Sequence, residues 1–131
     1  MVSLSLDWAG ELKFKNSSDS PAVDLQSSTP GVTSPPQALA YAVMACMAMD
    51  IVHILQKSRQ DLRGMTVKFE GERAAEHPRR FVSMQITFEL IGPVDGAVVE
   101  RAIALSRSTY CSVWNTLRPD ITIETAYEIK P

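Results

Sequence analysis

Two cysteines carry most of the chemistry open to this 131-residue chain. Cys46 lies in Ala42-Val43-Met44-Ala45-Cys46-Met47-Ala48-Met49, and Cys111 stands 65 residues further on, between Tyr110 and Ser112-Val113-Trp114. A thiol among apolar neighbours has an ordinary explanation, since free cysteine packs as a small hydrophobe and is among the most buried residue types. Cys111, however, opens a segment with the pattern of a helix start, where the positive end of the dipole favours a thiolate. The local argument therefore makes Cys111 the more acidic thiol and Cys46, about three turns inside a helix, the less acidic one.

Asp50 and His53 follow Cys46 by four and seven positions, so helical periodicity puts all three on roughly one face. A cysteine–histidine catalytic pair needs hydrogen-bond contact. Seven residues at about 1.5 Å each instead separate Cys46 from His53 by roughly 10 Å along the axis. His53 is expected to satisfy a core or interface contact. A carboxylate one turn from a thiol opposes its ionisation, so Asp50 is expected to be solvated or salt-bridged. Cys46, Asp50, His53 and His77 have no recognised metal-ligand spacing. Glu72-Arg73 and Glu76-His77-Pro78-Arg79-Arg80 read as solvated hairpin charge rather than an anion site. No phosphate loop, dinucleotide fingerprint or Gly-x-Ser-x-Gly elbow occurs in the sequence.

The elements that must hold these groups follow from periodicity. Val2 to Trp8 and Glu11 to Lys15 alternate at period two around Ala9-Gly10, which predicts a hairpin. Ala22 to Gln26 predicts a third short strand inside a Ser-, Asp- and Pro-rich loop from Asn16 to Gly31. Ser34-Pro35-Pro36 is a helix-start signal, and a long helix is expected from there to about Ser58. Its residues from Ala38 to Met49 are apolar nearly all the way round, more than a chain of this length easily covers, so a partner subunit is expected to help. Met65 to Glu70 and Phe81 to Leu90 form a second predicted hairpin. Helices over about Ala97 to Ser106 and Ser112 to Leu117, then a strand over Ile121 to Ile129, complete an α+β order in one domain, residues 1–131.

Composition excludes more than it names. A hydrophobic share of 45% and a charged share of 21% argue for an ordinary globular domain, against disorder or a fibrous repeat. A net charge of −2 and the lack of any basic block argue against a nucleic-acid partner. Ala38 to Leu55, bounded by Gln37 and interrupted by Asp50 and His53, reads as a buried helix rather than a membrane span. The N-terminal stretch already alternates like a strand and carries Asp7 and Glu11, so the expected location is the cytoplasm. Two cysteines in that reducing compartment are free thiols or a working redox pair rather than a structural staple.

Several blocks, taken together, resemble the OsmC/Ohr family of osmotically induced and organic-hydroperoxide-resistance proteins. They are Ser34-Pro35-Pro36-Gln37-Ala38-Leu39, Ala45-Cys46 with Met49-Asp50-Ile51-Val52, Gly71-Glu72-Arg73 with Glu76-His77-Pro78, and Ala104-Leu105-Ser106 with Tyr110-Cys111-Ser112-Val113. The resemblance implies antiparallel sheets wrapped around a long central helix in an intertwined homodimer, with each active site at the subunit interface. It implies that Cys46 is the peroxidatic thiolate attacking an organic hydroperoxide and that Cys111 is the resolving thiol. An external dithiol, typically a dihydrolipoyl group, would reduce the resulting disulfide, with no metal or flavin cofactor. The family's peroxidases hold the thiolate with an arginine from the N-terminal strands and a glutamate about ten residues before the cysteine. Here Pro36 and Gln37 stand in that region, and no arginine precedes Arg59, although Lys13 and Lys15 offer charge. The chain thus resembles a divergent branch, and non-catalytic binding of a small ligand or redox sensing stay open beside peroxidase activity.

Overall fold

The computed structural model describes residues 1–27 and 29–131. Ser28, within the stretch read as a loop, lies outside the described residues. The chain divides into two compact units, Met1–Tyr41 and Ala42–Pro131.

In the first unit β1 (Leu6–Trp8), β2 (Lys13–Asn16) and β3 (Asp24–Gln26) form an antiparallel sheet in that order. The turn between β1 and β2 needs left-handed backbone at Gly10 (φ 92°), which a residue without Cβ adopts freely, and continues it at Glu11 (φ 46°). The Trp8 indole N–H closes that turn by donating to the Glu11 carbonyl at 2.8 Å. β1 is shorter than the alternation predicted, since Val2 to Ser5 lie outside it. Towards the end of the unit lies a capping box: the Gln37 backbone N–H donates to Ser34 Oγ (3.4 Å) and the Ser34 N–H to Gln37 Oε1 (3.0 Å). That device starts α1, Pro35–Lys57.

In the second unit α1 presents Val43, Met47, Ile51 and Leu55, a stripe at four-residue spacing that is fully buried. α1 is long and apolar enough to cross a bilayer by length and composition, yet this stripe belongs to a protein core. Its C-terminus closes with Gln60 N–H donating to the Leu55 carbonyl (2.9 Å) and Arg59 N–H to the Gln56 carbonyl (3.0 Å), with Arg59 left-handed. β4 (Gly64–Arg73) and β5 (Phe81–Ile91) form a long antiparallel hairpin with a bulge at Glu72/Arg73. β5 sends Met84, Ile86, Phe88 and Leu90 into the same core, every second residue, as a sheet with one covered face must.

α2 (Gly96–Leu105) is capped by Asp95, whose carboxylate accepts the Ala97 N–H at 2.9 Å, and adds Val99, Ala102 and Ile103 to the core. The two helices expected here both form, and the stretch left open between them is itself helical. A π-helical turn over Ser106–Tyr110 follows, then α3 (Ser112–Thr116) and β6 (Thr122–Lys130). β6 lies beside β5 in parallel, in register from Ser83↔Thr122 to Ile91↔Lys130. The architecture is α+β with one antiparallel sheet and one sheet that gains a parallel edge strand. The parallel pairing has a physical cause: the helical segment between β5 and β6 is a crossover, which returns the chain to the starting end of the sheet.

Candidate active site

Cys46 and Cys111 lie 65 residues apart in sequence and side by side in the second unit. α1 carries Cys46 on a half-buried flank beside the Met47 stripe, while the π-turn delivers Cys111 to the N-cap of α3, fully buried. The π-turn closes where the Cys111 N–H donates to the Ser106 carbonyl at 2.8 Å, five residues back. Asn115 fixes the same corner from inside α3, its side-chain amide donating to the Cys111 carbonyl (2.8 Å) and the Arg107 carbonyl (3.1 Å). The Arg107 guanidinium lies 4.7 Å from the centre of the Trp114 ring, a cation–π contact that covers α3 from outside.

The helix start at Cys111 is as predicted, but the predicted order of acidity is reversed. The hydrogen-bond donors of the first turn of α3 are divided between the two sulfurs. Trp114 N–H donates to Cys111 Sγ at 3.2 Å, whereas the Val113 N–H is directed to Cys46. Burial raises the Cys46 pKa, but hydrogen bonds from the Cys111 thiol, the Val113 backbone and the Ser112 hydroxyl outweigh it and the opposing charge of Asp50. Cys46 is thereby held below the ordinary thiol value. Burial, first of all, and then its hydrogen bond to Cys46 push Cys111 up to about 11; the Trp114 N–H does not compensate. The positive end of α3 lies where the helix-start pattern puts it, but it also faces a sulfur from another element, a meeting that no local pattern encodes.

The remaining residues singled out in the sequence separate. Asp50 is half-buried and accepts a 2.8 Å hydrogen bond from the Ser106 hydroxyl, rather than being merely solvated or salt-bridged. His53 is exposed rather than part of the core, and His77 is exposed as well. Among the described residues no group of three or more His, Cys, Asp and Glu side chains converges as a metal site would require. Lys13 pairs with Glu11 in its own hairpin (3.6 Å), and Gln37 is engaged in the capping box. Sequence reasoning missed Ser106, Ser112, Val113 and Asn115. Only Ser112 and Val113, as first-turn residues of a short helix, left a local signal.

Comparison with known proteins agrees with this fold. Residues 28–126 match the family described as OsmC-like protein. Protein YhfA of Escherichia coli strain K12 is 39% identical over 97 residues, covering 73% of this chain and 72% of that protein. A hypothetical protein from Aquifex aeolicus VF5 superposes with a TM-score of 0.89 at 24% identity, covering 98% of this chain and 95% of that one. An organic hydroperoxide resistance protein OsmC from Legionella pneumophila, described as a predicted redox protein, superposes at 0.74 and 16% identity, covering 98% of both. The chain belongs to the OsmC-like family.

Proposed function

We propose that this protein is a thiol peroxidase that reduces organic hydroperoxides through Cys46 and Cys111. The observation that carries the reading is the meeting of two free thiols, Cys46 half-buried on α1 and Cys111 buried at the N-cap of α3, and the opposite directions of their pKa shifts support it. The Cys46 thiolate attacks the outer peroxide oxygen, the O–O bond breaks, and the alcohol leaves after taking a proton, with Cys46 oxidised to sulfenic acid. Cys111 then attacks the Cys46 sulfur; its proton joins the departing hydroxide as water, and the Cys46–Cys111 disulfide forms. An external dithiol, in the manner of a dihydrolipoyl group, returns both thiols and is itself oxidised to a disulfide. This cycle calls for neither metal nor flavin.

Homodimerisation belongs to the same reading, and two separate surfaces support it. In the first unit Leu4, Leu6, Trp8, Leu12 and Phe14 are exposed, and α1 exposes Met49 at 69%. Apolar area of this extent marks an interaction surface, and a second copy wrapped about α1 would cover it. A cytoplasmic setting, where dithiol reductants are at hand, suits the two free thiols.

Stopped-flow mixing of reduced protein with cumene or tert-butyl hydroperoxide tests the proposal. The expected result is loss of both thiols per chain at a rate far above that of free cysteine. A rate no faster than free cysteine, with the disulfide still forming under other oxidants, would leave the same pair to redox sensing.

A further inference from the structure

Among the described residues Ser106 is the one polar side chain that is fully buried. Besides the helical bond of its N–H to α2, it makes two hydrogen bonds that run in different directions. The hydroxyl donates to Asp50 Oδ2 at 2.8 Å, across 56 residues of sequence, and the carbonyl accepts the Cys111 N–H at 2.8 Å. Asp50 stands one helical turn beyond Cys46 on α1. Ser106 therefore links the turn of α1 that follows one cysteine to the backbone of the other. We infer that Asp50 and Ser106 are positioning residues that set the Cys46 and Cys111 sulfurs in register for disulfide formation.

The alternative role for Asp50, electrostatic support of the thiolate, has the wrong sign, since its negative charge opposes ionisation of both sulfurs. What the carboxylate supplies is an acceptor where a buried hydroxyl would otherwise go unsatisfied, which costs about 1–3 kcal/mol. The π-turn adds to the argument. It places one extra residue ahead of Cys111, and its closure on Ser106 makes the position of the Cys111 sulfur depend on where Ser106 is anchored. Small displacements of reacting atoms are expensive, on the order of a hundredfold in rate for about 1 Å.

This inference rests on the disulfide-forming reading of the pair but not on peroxide as the oxidant, and the experiment separates the two. Reduced full-length protein is mixed with one equivalent of the aromatic disulfide DTNB, and release of thionitrobenzoate is followed. The Cys46 thiolate cleaves the reagent's S–S bond, releasing one thionitrobenzoate and forming a mixed disulfide. Cys111, giving its proton to solvent, then attacks the Cys46 sulfur and expels the second thionitrobenzoate as the Cys46–Cys111 bond forms. In Asp50→Ala and Ser106→Ala the second phase is expected to slow about tenfold or more while the first does not slow. Asp50→Asn, which keeps an acceptor and loses the charge, is expected to stay within about threefold of the unmodified chain. Equal second-phase rates in Asp50→Ala and Asp50→Asn overturn the inference, because charge alone would then account for the effect. An unchanged second phase in Asp50→Ala overturns it as well, and the Asp50 variants decide the matter if Ser106→Ala does not fold. Absence of the second release in the unmodified chain overturns both the pair and its positioning. Normal release without hydroperoxide consumption overturns the peroxidase reading alone.

Discussion

The middle of α1 around Cys46 and the corner between the π-turn and α3 around Cys111 invert the usual expectation about where an acidic thiol is found. The mid-helix sulfur has no helix terminus of its own, yet it is the one held in the more acidic state. The N-cap sulfur has the helix start and a direct N–H donor, yet burial keeps it protonated up to about 11. A helix N-terminus favours the thiolate of an enclosed cysteine too, but by less than enclosure opposes it. Cys46 collects donors from Cys111, Val113 and Ser112 and keeps partial access to water, whereas Cys111 is fully enclosed. The proposed cycle gives the two thiols opposite roles that follow this difference, Cys46 as the available nucleophile and Cys111 as a protonated reserve.

Removing each sulfur in turn should have the largest consequences. Cys46→Ser is expected to abolish hydroperoxide reduction and the fast phase of thiol alkylation, because Cys111 at neutral pH has almost no thiolate to offer. A residual fast alkylation in that variant would mean that Cys111 is the acidic partner. Cys111→Ala is expected to be milder: one oxidation of Cys46 persists, the sulfenic acid accumulates to be trapped by dimedone, and turnover stops. It also deletes a hydrogen bond to the Cys46 thiolate, so alkylation of Cys46 at neutral pH should slow about tenfold, its pH profile moving upward. A profile that moves downward would show that Cys111 acts on Cys46 through burial rather than by donation.

Stability against pH sharpens the contrast because the two shifts have opposite sign. The folded state holds the Cys111 proton more tightly than the unfolded chain does. Its contribution is therefore fully present below the ordinary value of 9.0 and is lost as pH rises from there through about 11. Cys46, depressed on folding, contributes above 9.0 and loses that contribution as pH falls through its folded value. Denaturant midpoints should fall between pH 9 and 11, and Cys111→Ala should flatten that decline; an equally steep decline in the variant would assign it to other groups.

Much of this arrangement was legible in the residues, and the limits have physical causes. Alternation from Phe81 to Leu90 marked β5, and Ser34-Pro35-Pro36 marked the start of α1, because both signals are local. The N-cap position of Cys111 was legible for the same reason. The direction of β6 was not, since alternation marks a strand without saying which neighbour it joins. The π-turn left no trace in the apolar stripe of α2, because one inserted residue is defined by a hydrogen bond to Ser106 and not by composition. The Asp50–Ser106 contact and the division of donors between the sulfurs join distant segments, so a rule for helix termini could name only the nearer cysteine.

The smallest expected effect tests the weakest donor. Ser112 Oγ lies 4.0 Å from Cys46 Sγ, at the long limit for a contact with sulfur, and it is exposed, so water competes for the same position. A hydrogen bond is worth about 0.5–1.5 kcal/mol net, and one this long belongs at the bottom of that range. Ser112→Ala should therefore slow Cys46 alkylation only about twofold and leave α3 in place, because the Val113 and Trp114 N–H groups are backbone donors that the substitution spares. A loss as large as that in Cys111→Ala would shift the origin of the acidity from the buried thiol to the exposed hydroxyl. The comparison would then rest on solvent-side donors at α3, with enclosure of Cys111 a secondary matter.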